Sequence, residues 1–277
     1  KRRVNRQKNT TMLIKEYRII LPFTLEEYRV GQLYSIAEMS KSETGGGEGV
    51  EVLKNEPCDD AAHGKGQYTH KIYHLSSKVP RVIRTLAPKG SLEIHEHSWN
   101  CYPHYKTVLS NPDYMKDGFH ITIETMHIAD DKGTTENALN LPPELLAKRE
   151  VIYVDMVNDP IQPNDYKQDQ DPSLYRCERA NRGPLAKDWK ESPAHPFMCA
   201  YKLVTCEFKW FGLQGTVEGR IQKVYPRLFR NLHRQIFCCM DKWYGLTMDD
   251  IRRIEEETKA ELDRQRLNEP ARGTREE

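Results

Sequence analysis

The chain lacks the marks of most large functional classes. It has no apolar run of about 18 residues, so it offers no bilayer-spanning helix. It has almost no net charge, +1 from 42 basic and 41 acidic residues, which argues against a general nucleic-acid binder. Its glycine-rich stretch, Gly45 to Gly49, has neither the G-K-[ST] of a phosphate-binding loop nor the G-x-G-x-x-G of a dinucleotide fold. It has no G-x-S-x-G and no C-x-x-C, so nothing positive points to an enzyme. The seven cysteines are odd in number, and they are read as reduced thiols of a cytoplasmic protein. No internal repeat or Gly/Ser linker divides the chain. Apolar residues are few, 38%, and the mean hydropathy of −0.78 implies a heavily charged surface. Even so, 14 Tyr, 7 Phe and 4 Trp can supply a core.

Strand-like segments fill the first two thirds. Leu13 to Leu21 alternates and stops at Pro22. Thr24 with Glu27 forms a capping box that predicts a helix to about Lys41. Further strands are predicted at 49–53, 67–75, 91–98, 102–109, 119–126, 151–157 and 198–210, with a short helix over 142–149. Residues 55–66 read as a loop, and 158–194 as a long one of the kind that carries function or regulation. From Val217 to Met240 apolar residues recur every three or four, with Pro226 expected to kink or restart the helix. Thr247 caps a last helix to about Leu267. The expected organisation is a disordered basic extension over 1–11, one α+β domain over 12–267 and a flexible tail over 268–277.

Two residues break the pattern. Glu255 falls in the apolar stripe of the last helix with Ile251, Ile254, Thr258 and Leu262. Lys202 shares a strand face with Ala200, Val204, Cys206 and Phe208. Charges on apolar faces cost several kcal/mol or more unless paired, so a cavity holding a polar, phosphate-bearing ligand is one explanation. The alternatives are an edge pair of Glu255 with Lys259 and a lysine snorkelling to a sheet edge. Period-2 spacing sets Gln67, Thr69, Lys71 and Tyr73 on one face, with a hydroxyl and an ammonium about 6.5 Å apart, or else on a solvated sheet. Thr107 and Thr125 can line the same surface. Trp210 and Phe211 form an apolar pair at a turn, suited to a membrane or to half-buried packing. His95 and His97 share a face, but no third ligand is evident, so no metal is expected.

Six segments then carry a resemblance: MLIKEY from Met12, GGGEGVEVL from Gly45, GQYTHKIYH from Gly66, WNCYP from Trp99, MCAYKLVT from Met198 and LTMDDIRR from Leu246. They resemble the class I phosphatidylinositol transfer proteins, in order, from Met12 to about Arg266. The resemblance implies a START-like helix-grip fold: a concave, mostly antiparallel sheet and long helices enclosing one phospholipid. It implies exchange of phosphatidylinositol and phosphatidylcholine between membranes by a non-catalytic, cytoplasmic monomer that docks transiently on membrane surfaces. No cofactor beyond the phospholipid cargo is implied. An alternative is a sensor that presents lipid to phosphoinositide kinases. Inositol contacts are implied at Thr69, Lys71, Asn100 and Glu255, phosphate contacts at Gln32, Thr107, Thr125 and Lys202, and membrane docking at Trp210 and Phe211. Three departures stand out. Cys177 occupies the usual phosphorylatable serine position, Tyr105 replaces a reactive cysteine, and Pro226 replaces an ordinary helix residue.

Overall fold

The computed structural model describes residues 13–61, 63–75, 88, 90–209 and 214–272. The expected extension over 1–11 lies outside them, as do Trp210 and Phe211. One eight-stranded sheet organises the molecule. Its strands are β1 (Leu13–Leu21), β2 (Gly49–Asp60), β3 (Gly64–His74), β4 (Glu93–Cys101), β5 (His104–Asn111), β6 (Lys116–Ala129), β7 (Glu150–Val154) and β8 (Met198–Phe208). The order is β2-β3-β4-β5-β6-β8-β1-β7. Every pairing is antiparallel except β1 with β7. The helices are α1 (Leu25–Glu43), a single turn α2 (Pro143–Leu146), α3 (Gln214–Cys238), a short α4 (Met240–Trp243) and α5 (Met248–Asn268).

Local chemistry explains the boundaries. The Thr24 hydroxyl accepts from the Glu27 N–H at 3.1 Å, and the Glu27 carboxylate accepts from the Thr24 N–H at 2.8 Å. Thr247 and Asp250 repeat the box at α5. Residues 55–66 correct the sequence reading, because β2 runs on to Asp60 and β3 begins at Gly64. The segment is polar and contains Pro57, yet β2 is an edge strand, where a proline and a water-facing row are tolerated. Pro226 does not restart its helix; α3 runs through it and stops at Cys238. Proline leaves the carbonyl four residues back without its usual donor. That carbonyl, of Gln222, instead accepts from the Tyr17 hydroxyl at 3.1 Å.

The core lies between the inner face of the sheet and the helices. Tyr17, Ile19 and Leu21 of β1 are buried, and the Tyr17 ring meets Phe229 of α3 edge-on at 5.2 Å between centroids. Phe23, Tyr28, Phe237 and Trp243 extend the cluster. α1 fits against Trp243 only because residue 31 is glycine; a Cβ there would lie 2.8 Å from the indole. The segment over 158–194 has three short 3-10 turns rather than no structure. Arg182 anchors it to the start of α1 through both Glu27 oxygens, at 2.7 and 3.1 Å, and the Pro22 carbonyl at 3.0 Å. Residues 268–272, expected to be a flexible tail, are seated on the glycine loop: Gly46 N–H donates to the Glu269 carbonyl at 2.6 Å, and Gly47 N–H to that of Arg266 at 2.8 Å.

Candidate functional site

Alternation along five strands brings a row of polar side chains to the inner face of the sheet, beneath α1, α3 and α5. They line two adjoining cavities. The larger, about 450 Å³, receives Gln32 from α1, Lys71 from β3, Thr107 from β5, Thr125 from β6 and Lys202 from β8. Its apolar wall includes Leu109, Ile123, Phe229 and Leu232. The smaller, about 50 Å³, receives Asn55, Thr69, Lys71, Tyr105 and Glu255. The two share Ile36, Ser40, Lys71 and Tyr105. A mostly apolar chamber with a few convergent polar groups is the general form of a small-molecule site.

Lys202 is the electrostatic centre. It lies on a strand flanked on both sides, opposite Thr125 on β6 and Tyr17 on β1, so it cannot snorkel to a sheet edge. It is 6% exposed, and among the described residues no carboxylate lies within ion-pair distance. Its ammonium sits 5.5 Å from the Phe229 ring centroid. Burial pulls its pKa down to about 8. The neighbouring histidines respond in kind. Burial, then the charge of Lys202, lowers His233 to about 3 and His127 well below the usual range. Both are neutral at pH 7. His233 is held by the Phe229 carbonyl at 2.6 Å and the Tyr28 hydroxyl at 2.9 Å. Among the described residues, the cavity floor thus carries a single uncompensated cation.

At the other end the carboxylates are spoken for. Glu255 accepts from Asn55 Nδ2 at 2.9 Å and pairs with Arg252, one turn back on α5. Lys259, the edge partner considered from sequence, is not the partner found. Asn55 Oδ1 in turn accepts from Gln67 at 2.8 Å. Glu96 accepts from the Tyr73 hydroxyl at 2.7 Å and from Ser98 at 3.2 Å, and lies 3.6 Å from the Lys71 ammonium. Ser98 continues the chain to Thr107 at 3.0 Å. Burial and the Glu96 charge raise the pKa values of the Tyr73 and Tyr105 phenols, which stay protonated as donors.

The structure therefore brings Thr69, Lys71 and Glu255 to one cavity and Gln32, Lys71, Thr107, Thr125 and Lys202 to its neighbour. Asn100 stands apart: it is buried on β4 between Gln67 and Tyr105, outside the lining of both, with its Oδ1 unpartnered among the described residues. Sequence reasoning placed Tyr73 on the correct face and missed Glu96, Asn55 and Arg252. Glu96 was accessible to it, because a residue between two same-face histidines must point the other way. Cys177 is buried, its thiol donating to Asp241 at 3.0 Å, with burial and that carboxylate raising its pKa.

A concave, mostly antiparallel sheet closed by long helices over an internal chamber is the helix-grip arrangement of START-like α+β proteins. Comparison with known sequences makes the assignment specific. The profile of the family described as "Phosphatidylinositol transfer protein" matches residues 12–260. The chain is 54% identical over 268 residues to the phosphatidylinositol transfer protein beta isoforms of Rattus norvegicus and Homo sapiens, covering 95% of this chain and 98% of each of theirs. It is 49% identical over 252 residues to phosphatidylinositol transfer protein 1 of Dictyostelium discoideum, covering 91% of this chain and 94% of that one. The chain belongs to the phosphatidylinositol transfer protein family. Among the described residues no helix is long and apolar enough to cross a membrane.

Proposed function

We propose that this protein carries one phosphatidylinositol or phosphatidylcholine at a time and exchanges it between membranes without chemical change. The observation that carries the reading is Lys202, a buried cation with no counter-charge among the described residues, facing a largely apolar chamber. A phosphodiester supplies the missing anion, and its acyl chains take the apolar wall. Each methylene moved from water into such a wall contributes about 0.8 kcal/mol, which offsets departure from the bilayer. Gln32, Thr107 and Thr125 donate to the phosphate oxygens beside Lys202. Thr69, Lys71 and Glu255 meet the inositol hydroxyls in the small cavity, and Asn100, outside its lining, joins them when the headgroup is bound; choline offers no hydroxyl to them, so these residues discriminate between headgroups while the phosphate contacts serve both. Trp210 and Phe211 dock the chain on the membrane surface during exchange.

Native mass spectrometry of protein purified from cells, followed by lipid extraction, tests the reading. One phospholipid per chain with an inositol or choline head is the expected result. An empty chain, or one holding a lyso-lipid, contradicts a stored, unreacted cargo.

A further inference from the structure

On the reverse of the sheet from the cavities, register completes a set that one strand alone leaves short. His70 on β3 stands opposite His97 on β4, and His95 lies two residues along on the same face. The His70 and His97 rings stack with centroids 4.2 Å apart. Nε2 of His70 lies 3.0 Å from Nδ1 of His95. Each of the three imidazoles offers one ring nitrogen, and these nitrogens all lie within 4.8 Å of one another. Three nitrogens around a tetrahedral Zn²⁺ at Zn–N distances of about 2.0–2.1 Å are roughly 3.3 Å apart, so the set reaches an ion once the stacked His70 and His97 rings turn to aim their in-plane lone pairs at one point. The Tyr68 hydroxyl lies 2.7 Å from Nδ1 of His97 and fixes that ring, as outer-shell partners of ligating imidazoles do. All three side chains are half-buried, open enough for an ion to enter and for water to complete the coordination.

We propose that His70, His95 and His97 form a Zn²⁺ site that ties β3 to β4 on the face opposite the lipid. Three imidazoles without carboxylate or thiolate favour a borderline ion over Ca²⁺ or Mg²⁺. One feature opposes binding: Lys54 stands opposite His70 on β2. Its ammonium is exposed and is drawn toward Glu56, 3.8 Å away, so the repulsion is screened. The site shares no residue with the cavities, so it is independent of cargo.

The test is titration of the full chain with Zn²⁺ against a chromophoric chelator, with Co²⁺ absorption to report a tetrahedral field. One equivalent is expected to bind. His97→Ala and His70→Gln are each expected to weaken it at least tenfold while leaving the extracted lipid per chain unchanged. The neighbouring thiols of Cys58 and Cys101 are the rival site, so the double variant Cys58→Ser, Cys101→Ser is expected to bind as the parent does. No bound metal, unchanged affinity in both histidine variants, or loss in the serine variant overturns the proposal. A readout that needs no variant is the imidazole NMR spectrum of the parent. All three rings shift together with Zn²⁺ if the site exists, and shifts confined to other histidines refute it.

Discussion

Replacing Lys202 by methionine separates what the lysine does for binding from what it does to the fold. The lysine's pKa falls from 10.5 to about 8 on burial. At about 1.36 kcal/mol per pH unit, keeping that charge in the lipid-free protein at neutral pH costs about 3 kcal/mol. The sign follows from proton linkage. Below pH 8 both folded and unfolded chains hold the proton, and the full penalty applies. Between pH 8 and 10.5 only the unfolded chain holds it, so the penalty shrinks as pH rises. Lipid-stripped Lys202→Met is therefore expected to be more stable than the parent by up to about 3 kcal/mol at pH 7, with the gap closing by about pH 10.5. Urea unfolding at the two pH values reads this. Loading runs the other way. The variant loses the cation that meets the phosphate, so its uptake of phosphatidylinositol and phosphatidylcholine from vesicles is expected to fall at least tenfold. Parent uptake is expected to weaken from pH 7 to pH 9.5, and variant uptake to stay level. A variant that loads phospholipid as well as the parent, or is less stable at pH 7, refutes the argument that a lone buried cation awaits an anion.

Other perturbations have clear directions. Thr69→Ala and Glu255→Gln are expected to lower transfer of phosphatidylinositol more than that of phosphatidylcholine in a vesicle assay; equal losses would contradict headgroup discrimination at the small cavity. Gly31→Ala forces a Cβ into the Trp243 indole and is expected to cost about 1–3 kcal/mol, seen as a lower urea midpoint. Arg182→Ala leaves Glu27 with one partner fewer beneath the 158–194 segment; a loss of about 2–3 kcal/mol, with faster proteolysis of that segment than of the sheet, is expected. Thr24→Ala removes one half of a capping box and is expected to cost about 1 kcal/mol.

What was legible in the sequence divides along physical lines. β1, α1 and α5 were readable because their signals are local: an alternation stopped by Pro22, and two capping boxes. Lys202 and Glu255 stood out because a charge breaks an apolar period whatever lies across from it. The edge strand β2 was misread after Leu53 because it is exposed or half-buried on both faces there and its register shifts between Val52 and Lys54, so no alternation survives, and Asn55, the partner of Glu255, was hidden with it. The third imidazole was invisible for a different reason. His70 joins His95 and His97 only through the β3–β4 register, which no single segment encodes. The restart allowed for at Pro226 does not occur, and the carbonyl the proline frees is bonded by Tyr17, more than two hundred residues away, which no local signal encodes.

The position of β1 has a consequence for how the chain is made. The first strand lies between β7 and β8, and Leu13 pairs with Cys206. The strands from β2 to β6 form a run of neighbours and can zip up as they leave the ribosome, but β1 gains its first flank only with β7, which ends at Val154, and its second only with β8, which begins at Met198. Loop closure of that span is the slow, high-contact-order step of folding. Because β8 carries Lys202 and the helices that cover the chamber, α3 and α5, come after it, the chamber closes only once that pairing has formed. Cargo is therefore expected to enter as the fold completes, and nascent chains halted before residue 198 should bind no phospholipid at all.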